Sequence, residues 1–304
     1  MSLNKAICIA VLSLASTCLH AATVDVPGTL KSCNQAIVDG DAAKALGFAD
    51  EILKPQPKQR DALLCKSRAY LLNGQNKEAM DAVQAAEKIS QTPLEHTIAI
   101  TLIGNVYKAG EQYKEALVSY QQALVIAHED KNKRFERIDL NLIGDTQAAM
   151  QQLDAALESY FAGGKLAAND NERGDSYARI ASVYSTQGKH DQAIEYQIKA
   201  MLMEQSSGDL DHFANASVEL GRIYIAAKDY PNAEKSLNKI IKFSQEQGGE
   251  YWEAMGDFYL AQVKTATNDS AAAKSLLNDA KKISERIGAT DLTNDIDQAL
   301  QKLN

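Results

Sequence analysis

The residues best able to do chemistry are His96, His128, His190 and His212, and they are scattered. Imidazoles hold zinc when they recur on one helix face, as in His-x-x-x-His, or join Cys-x-x-Cys pairs. Neither spacing occurs, so no metal site is expected. Gly163-Gly164-Lys165-Leu166 lacks both the upstream Gly and the Ser or Thr of a loop that cradles phosphate. No Gly-x-Ser-x-Gly elbow presents a nucleophilic serine. The stretch from Asn169 to Gly174 is rich in oxygen donors, but Arg173 stands where a calcium loop needs a ligand. It is read as a loop between structural units. No catalytic constellation and no cofactor site emerges, and no enzymatic activity is expected.

The cysteines carry a different chemistry. Cys33 and Cys65 lie 32 residues apart. In an oxidising compartment such a pair forms a disulfide, and closing that loop contributes about 3–4 kcal/mol in the chain-entropy model. Two small thiols packed between helices are the other reading, and spacing alone leaves both open.

Compartment is the business of the first residues. Lys5 precedes fourteen largely apolar residues, Ala6 to Leu19, followed by His20-Ala21-Ala22. A cationic start, a short apolar core and small residues at the end describe a secretory signal peptide. Cleavage is expected after Ala21, leaving 22–304 as one domain in the periplasm. The apolar run is shorter than the roughly 20 residues a membrane span needs. A lipoprotein signal modified at Cys18 is the rival, but Thr17 is large for the site before that cysteine. No later segment is apolar enough to span a membrane.

The chain has 40 acidic and 32 basic residues, a net charge of −8. Such a surface repels phosphate backbones, which argues against a nucleic-acid partner. Only 5 of 304 residues are Pro, and helix formers dominate, so helix is expected throughout.

What positions these residues is a repeat. Ile100, Ile103, Gly104 and Tyr107 share one helix face, Gly110 breaks the helix, and Ala116, Tyr120 and Ala123 share a face of the next. Leu140, Ile143, Gly144, Ala156 and Tyr160 repeat the pattern, as do Tyr177, Ile180, Ala181, Tyr184, Gly188 and Ala193. The second-helix alanines Ala45, Ala79, Ala116, Ala156, Ala193, Ala233 and Ala273 are 34, 37, 40, 37, 40 and 40 residues apart. Each hairpin leaves an apolar face that the next one covers.

The pattern resembles the tetratricopeptide repeat over about residues 28–289, with a period of 34 lengthened by up to six residues. It departs from the family in two ways. The large first-helix residue is never Trp, and the Pro between repeats is mostly absent. The resemblance implies an all-α, right-handed superhelical solenoid of about seven hairpins. Their approximate limits are 28–58, 60–93, 97–133, 137–171, 174–209, 214–249 and 254–289. Residues 290–304 are read as a capping helix, with a docking tail as the alternative.

In this family the first helices line a concave groove, with groove positions one and five residues beyond the large residue. Carried over, they give Leu30, Leu64, Thr101, Asn141, Ala178, Val218 and Phe258 as one row. The other is Asn34, Arg68, Asn105, Asp145, Ser182, Arg222 and Gln262. Asn34, Asn105 and Asn141 offer a donor and an acceptor on a short stem, suited to the backbone of an extended peptide. Arg68 and Arg222 suit carboxylates, and Asp145 and Ser182 complete the polar set. Ordinary solvated side chains are the plainer reading. The family's clamp for chaperone tails sets Lys beside Asn. Leu30 beside Asn34 does not reproduce it. The expected partner is a protein or extended peptide, bound by an exported scaffold. A ligand or peptide sensor, and a helper subunit of an export machine, are the alternatives.

Overall fold

The computed structural model describes residues 24–303. The expected signal peptide, its cleavage after Ala21 and the rival modification at Cys18 lie outside the described residues. Among the described residues there are fifteen α-helices and no strand. Seven consecutive hairpins account for fourteen of them. They are α1 (Val26–Val38) with α2 (Ala42–Leu53), α3 (Arg60–Leu72) with α4 (Asn76–Glu87), and α5 (Pro93–Ala109) with α6 (Tyr113–Glu129). Next come α7 (Lys133–Ala149) with α8 (Leu153–Gly164), and α9 (Asp170–Thr186) with α10 (His190–Ser207). Then follow α11 (Leu210–Ala226) with α12 (Tyr230–Gln247), α13 (Glu250–Ala266) with α14 (Ser270–Arg286), and finally α15 (Thr290–Lys302). The protein is a helical solenoid, and each hairpin packs on the next.

Helix length explains the uneven alanine spacing. Between Ala45 and Ala79 the chain uses a 12-residue second helix and a 13-residue first helix. Between Ala193 and Ala233 it uses helices of 18 and 17 residues. The first helix gains four residues, about one helical turn, and the second gains six. The first helix gains its turn at the start. α5, α7, α9, α11 and α13 each begin four residues before the limits read from the repeat pattern. For α9 this changes the reading of Asn169 to Gly174, which is not a loop. Asn169 is the N-cap, its side-chain oxygen accepting from the Glu172 amide at 2.9 Å, and Asp170 to Gly174 are the first turn of the helix.

The first and second helices of a hairpin meet where one has no side chain. A Cβ on Gly144 would lie 2.5 Å from the Tyr160 ring, and one on Gly221 would lie 2.5 Å from Leu237. Gly104 stands against Tyr120 in the same way. The next hairpin closes the core. Ala79, Val83 and Ala86 of α4 are buried together with Leu64 of α3 and with Ala99, Leu102 and Val106 of α5. At the far end α15 covers α13 and α14. Ile296 is fully buried and Leu292 nearly so, and both join Leu277 and Ala280 in one cluster. Burying a side chain such as Ile296 contributes about 1.5–3 kcal/mol, which makes α15 a cap. At the other end the structure joins Cys33 of α1 to Cys65 of α3 by a disulfide, with Cα atoms 6.4 Å apart. Among the described residues no helix is long and apolar enough to cross a membrane.

Candidate functional site

The residues expected to line the groove divide sharply by burial. In the first row Leu64, Thr101, Asn141 and Val218 are buried. These positions face the seam between neighbouring first helices and do not open to solvent. Asn141 therefore cannot grip a peptide from the groove, as its place in the polar set implied. Its amide donates to Asp175 of the next hairpin at 3.3 Å, and its oxygen lies 2.7 Å from where a Cβ on Gly163 would sit. The close approach of α8 locks it in place.

The second row is the open one. Asn34, Ser182 and Arg222 are exposed, while Arg68, Asn105 and Asp145 are half-buried. Several already have partners. Arg68 donates to Asn34 at 3.3 Å. Asn105 accepts from the Tyr120 hydroxyl at 2.7 Å, and Asp145 accepts from the Tyr160 hydroxyl at 2.7 Å. Asn105 and Asn141 thus both serve the fold.

Asp145 is also the centre of a charged seam. Arg179 of α9 donates to it, and the Lys108 ammonium of α5 lies 3.6 Å away. Arg179 reaches back to Asp175 at 3.1 Å. Arg137 of α7 meets Glu172 at 3.1 Å and Asp175 at 3.7 Å. The carboxylates of Asp145 and Asp175 hold Arg179 protonated more firmly than usual, outweighing its burial. Behind this seam Asp139 is fully buried and accepts from the Thr101 hydroxyl at 2.8 Å. Burial pushes its pKa up to about 7.

Past the seam the groove deepens into a cleft of about 600 Å³ between α9 and α11, floored by α10. Asp175, Arg179 and Ser182 line one wall, Asn215, Glu219 and Arg222 the other, and Gln197 and Glu204 the floor. Arg222 donates to both oxygens of Glu219, at 2.8 and 2.6 Å, and lies 5.5 Å from the centre of the Tyr259 ring.

Two tetratricopeptide-repeat models match the sequence, over residues 99–134 and 172–239. The second spans the helices that form this cleft. The chain carries tetratricopeptide repeats over these residues. The heat shock protein STI1 of Saccharomyces cerevisiae is 25% identical over 169 residues, which are 49% of this chain and 28% of that protein. The chain thus spans little more than a quarter of that relative's length. Among solved structures it is similar to a signal transduction ATPase with numerous domains from Pyrococcus horikoshii, which carries a tetratricopeptide repeat sensor. The TM-score is 0.68 at 18% identity, covering 89% of this chain and 44% of the other. The apo form of the quorum sensor NprR from B. thuringiensis gives a TM-score of 0.61 at 15% identity, covering 93% and 89%. At such identities the likeness shows the fold.

The tetratricopeptide register points to Ser182 and Arg222 in the cleft but misses its other polar groups. Asp145 and Arg179 are 34 residues apart, as are Asn141 and Asp175. In a region whose repeats are 37 residues long, a spacing of 34 links a residue to the turn before its counterpart. Opposite charges or hydrogen-bonding types at that offset are the signal that would have found Arg179 and Asp175. Glu204 and Gln197 sit on a second helix, outside any first-helix row.

Proposed function

We propose that this protein is a binding scaffold that holds an extended segment of a partner along the face of its first helices. The carrying observation is the open cleft between α9 and α11, which presents Ser182, Asn215 and Arg222 in a groove continuous with the polar row. Short polar side chains pair with the backbone of an extended chain, and Arg222 adds a charge at the wall. The leader-like stretch from Lys5 to Ala22 supports action in the periplasm. No catalytic step is assigned to it.

A sensor is the second reading, and the cleft favours it. Its size suits a small ligand or the end of a peptide. Both similar structures described above are of proteins named as sensors or as carrying one.

A photo-crosslinking residue tests the site. It is placed at Ser182 in the groove and, separately, at Val125, which is exposed on α6. The mature chain is then incubated with periplasmic extract. The groove reading expects a discrete crosslinked partner at Ser182. Crosslinks confined to Val125 would overturn it.

A further inference from the structure

Another cavity opens on the side of α9 away from the groove. It holds about 380 Å³ between the second helices α8 and α10, with α9 beneath them. Arg173, Tyr177 and Ile180 of α9 line it, whereas Asp175, Arg179 and Ser182 of the same helix line the cleft described above. At about 100° per residue these two sets lie on opposite sides of α9. The two cavities are therefore separate.

Its charge runs against that of the chain. Acidic residues outnumber basic ones by 40 to 32. Yet Lys165, Arg173 and Lys199 line this cavity, and among the described residues no Asp or Glu does. Arg173 and Lys199 keep 41% and 43% of their side-chain surface exposed, and Lys165 is exposed as well. All three cations are thus open to a bound molecule. Arg173 pairs with Asp170 and Lys199 with Glu195, each about one turn away on its own helix. Such exposed pairs are weak and give way to a better-placed anion. Lys165 has no ion pair among the described residues.

The apolar wall is aromatic. Phe161, Tyr177 and Tyr196 line the cavity and are only partly buried. The Phe161 and Tyr177 rings stand 5.7 and 5.9 Å from the Tyr196 ring, centre to centre. The group packs on the buried Ile180 and Val183, and its uncovered side faces the cavity. Lys199 holds its ammonium 4.5 Å from the centre of the Tyr196 ring, so charge and rings meet in one place. The Tyr177 and Tyr196 hydroxyls have no hydrogen-bond partner among the described residues. Ser176 in the floor is already tied to the Glu172 carbonyl at 3.0 Å. The side chains on offer are donors, three of them charged.

A volume of about 380 Å³ lies at the small end of ligand pockets, which suits one or two rings and not a length of chain. Flat rings stack on Tyr and Phe or meet them edge-on, and an oxyanion matches the cationic rim. We propose that this pocket binds a small aromatic oxyanion, a flat ring system carrying a carboxylate or a phosphate. The site stands independently of the groove reading.

Four probes test it: naphthoate, naphthyl phosphate, the neutral naphthamide, and acetate, which has the charge without the rings. Each is titrated into the isotope-labelled protein and followed by NMR. Naphthoate or naphthyl phosphate, or both, should bind at least about ten-fold more tightly than naphthamide and than acetate, the factor expected for a charged hydrogen bond. The tighter of the two identifies the anion. The shifts should gather at Gly164, Tyr177 and Tyr196. Lys165→Gln combined with Arg173→Gln should bring the tighter probe down to the naphthamide level with an unchanged circular dichroism spectrum, since both side chains reach solvent. Naphthamide or acetate binding as tightly as the aromatic anions would overturn the proposal. So would shifts that gather at Ser182 in the groove, no shift at millimolar concentration, or full affinity in the doubly substituted protein.

Discussion

The Tyr160 hydroxyl donates to Asp145 at 2.7 Å while its ring lies on the backbone of Gly144. Forty residues earlier Tyr120 makes the same pair of contacts, with Asn105 and Gly104. One side chain thus ties the second helix to the first and fixes a polar residue on the groove face. Tyr160→Phe keeps the ring and removes the hydroxyl. Asp145 keeps Arg179 as a partner, so the expected cost is about 1 kcal/mol. A denaturant melt measures it, and an unchanged midpoint would show that the hydroxyl contributes nothing.

Gly144→Leu acts on the other half of the same contact. The ring and the helix backbone leave no room for a Cβ, so ring or helix must shift. A cost of about 1–3 kcal/mol or more is expected, larger than that of Tyr160→Phe. A variant that melts with the native protein would mean that α7 and α8 do not approach as described.

Much of this was legible in the sequence, because close packing of helices demands small residues at fixed spacing. Gly104 and Gly144 stand in the repeat pattern at positions where the structure brings the two helices of a hairpin together, and the alanines from Ala45 to Ala273 count the hairpins. The groove was less legible. Each later first helix gains a turn at its start, and that turn packs against the preceding hairpin. It carries Asn171 and Glu172, which no standard repeat position covers. Asn141 looked like a groove residue because its spacing is right. Its burial depends on Gly163 in α8, which no first-helix pattern reveals.

The turns inside the hairpins carry a removable strain. Gly40, Gly74 and Gly188 adopt left-handed backbone angles there, but in other hairpins Glu111, Gln151 and Lys228 do so, with φ of 57°, 60° and 58°. A residue with a Cβ loses roughly 1–2 kcal/mol in that conformation, and glycine gives part of this back through the freedom of its unfolded chain. Glu111→Gly and Lys228→Gly should each stabilise the protein by about 0.5–1 kcal/mol. Gly188→Ala should do the reverse. Thermal melts moving together in one direction would refute the argument.

The disulfide between Cys33 and Cys65 staples the first helices of the first two hairpins, and both cysteines are buried. Cys33→Ala with Cys65→Ala should cost about 2–4 kcal/mol by the loop-entropy argument. Stacked repeats exchange stability only with their neighbours. Hydrogen exchange should therefore speed up in α1 to α4 and stay nearly unchanged in α11 to α15. Uniform loosening along the whole chain would contradict this.

The last prediction concerns Asp139, which is buried against Thr101 with its second carboxylate oxygen unpartnered. Desolvation raises its pKa from about 3.8 to about 7 in the folded chain. The sign follows from proton counting. Between these two values the unfolded chain has lost the proton and the folded chain has kept it, so raising the pH favours unfolding. The contribution of the neutral acid is complete below about pH 4, fades as pH rises, and is gone above about pH 7. Three pH units at roughly 1.4 kcal/mol each set an upper bound on the order of 4 kcal/mol. Asp257, also buried and raised by desolvation to about 7, slopes the same way. Asp139→Asn keeps an acceptor for Thr101 and removes the titration. The variant should therefore gain stability relative to the native protein as pH rises from 5 to 8, by about 1–3 kcal/mol. Denaturant midpoints of the two proteins at both pH values decide it. A difference between them that does not change with pH would mean that Asp139 is ionised in the folded chain at pH 5.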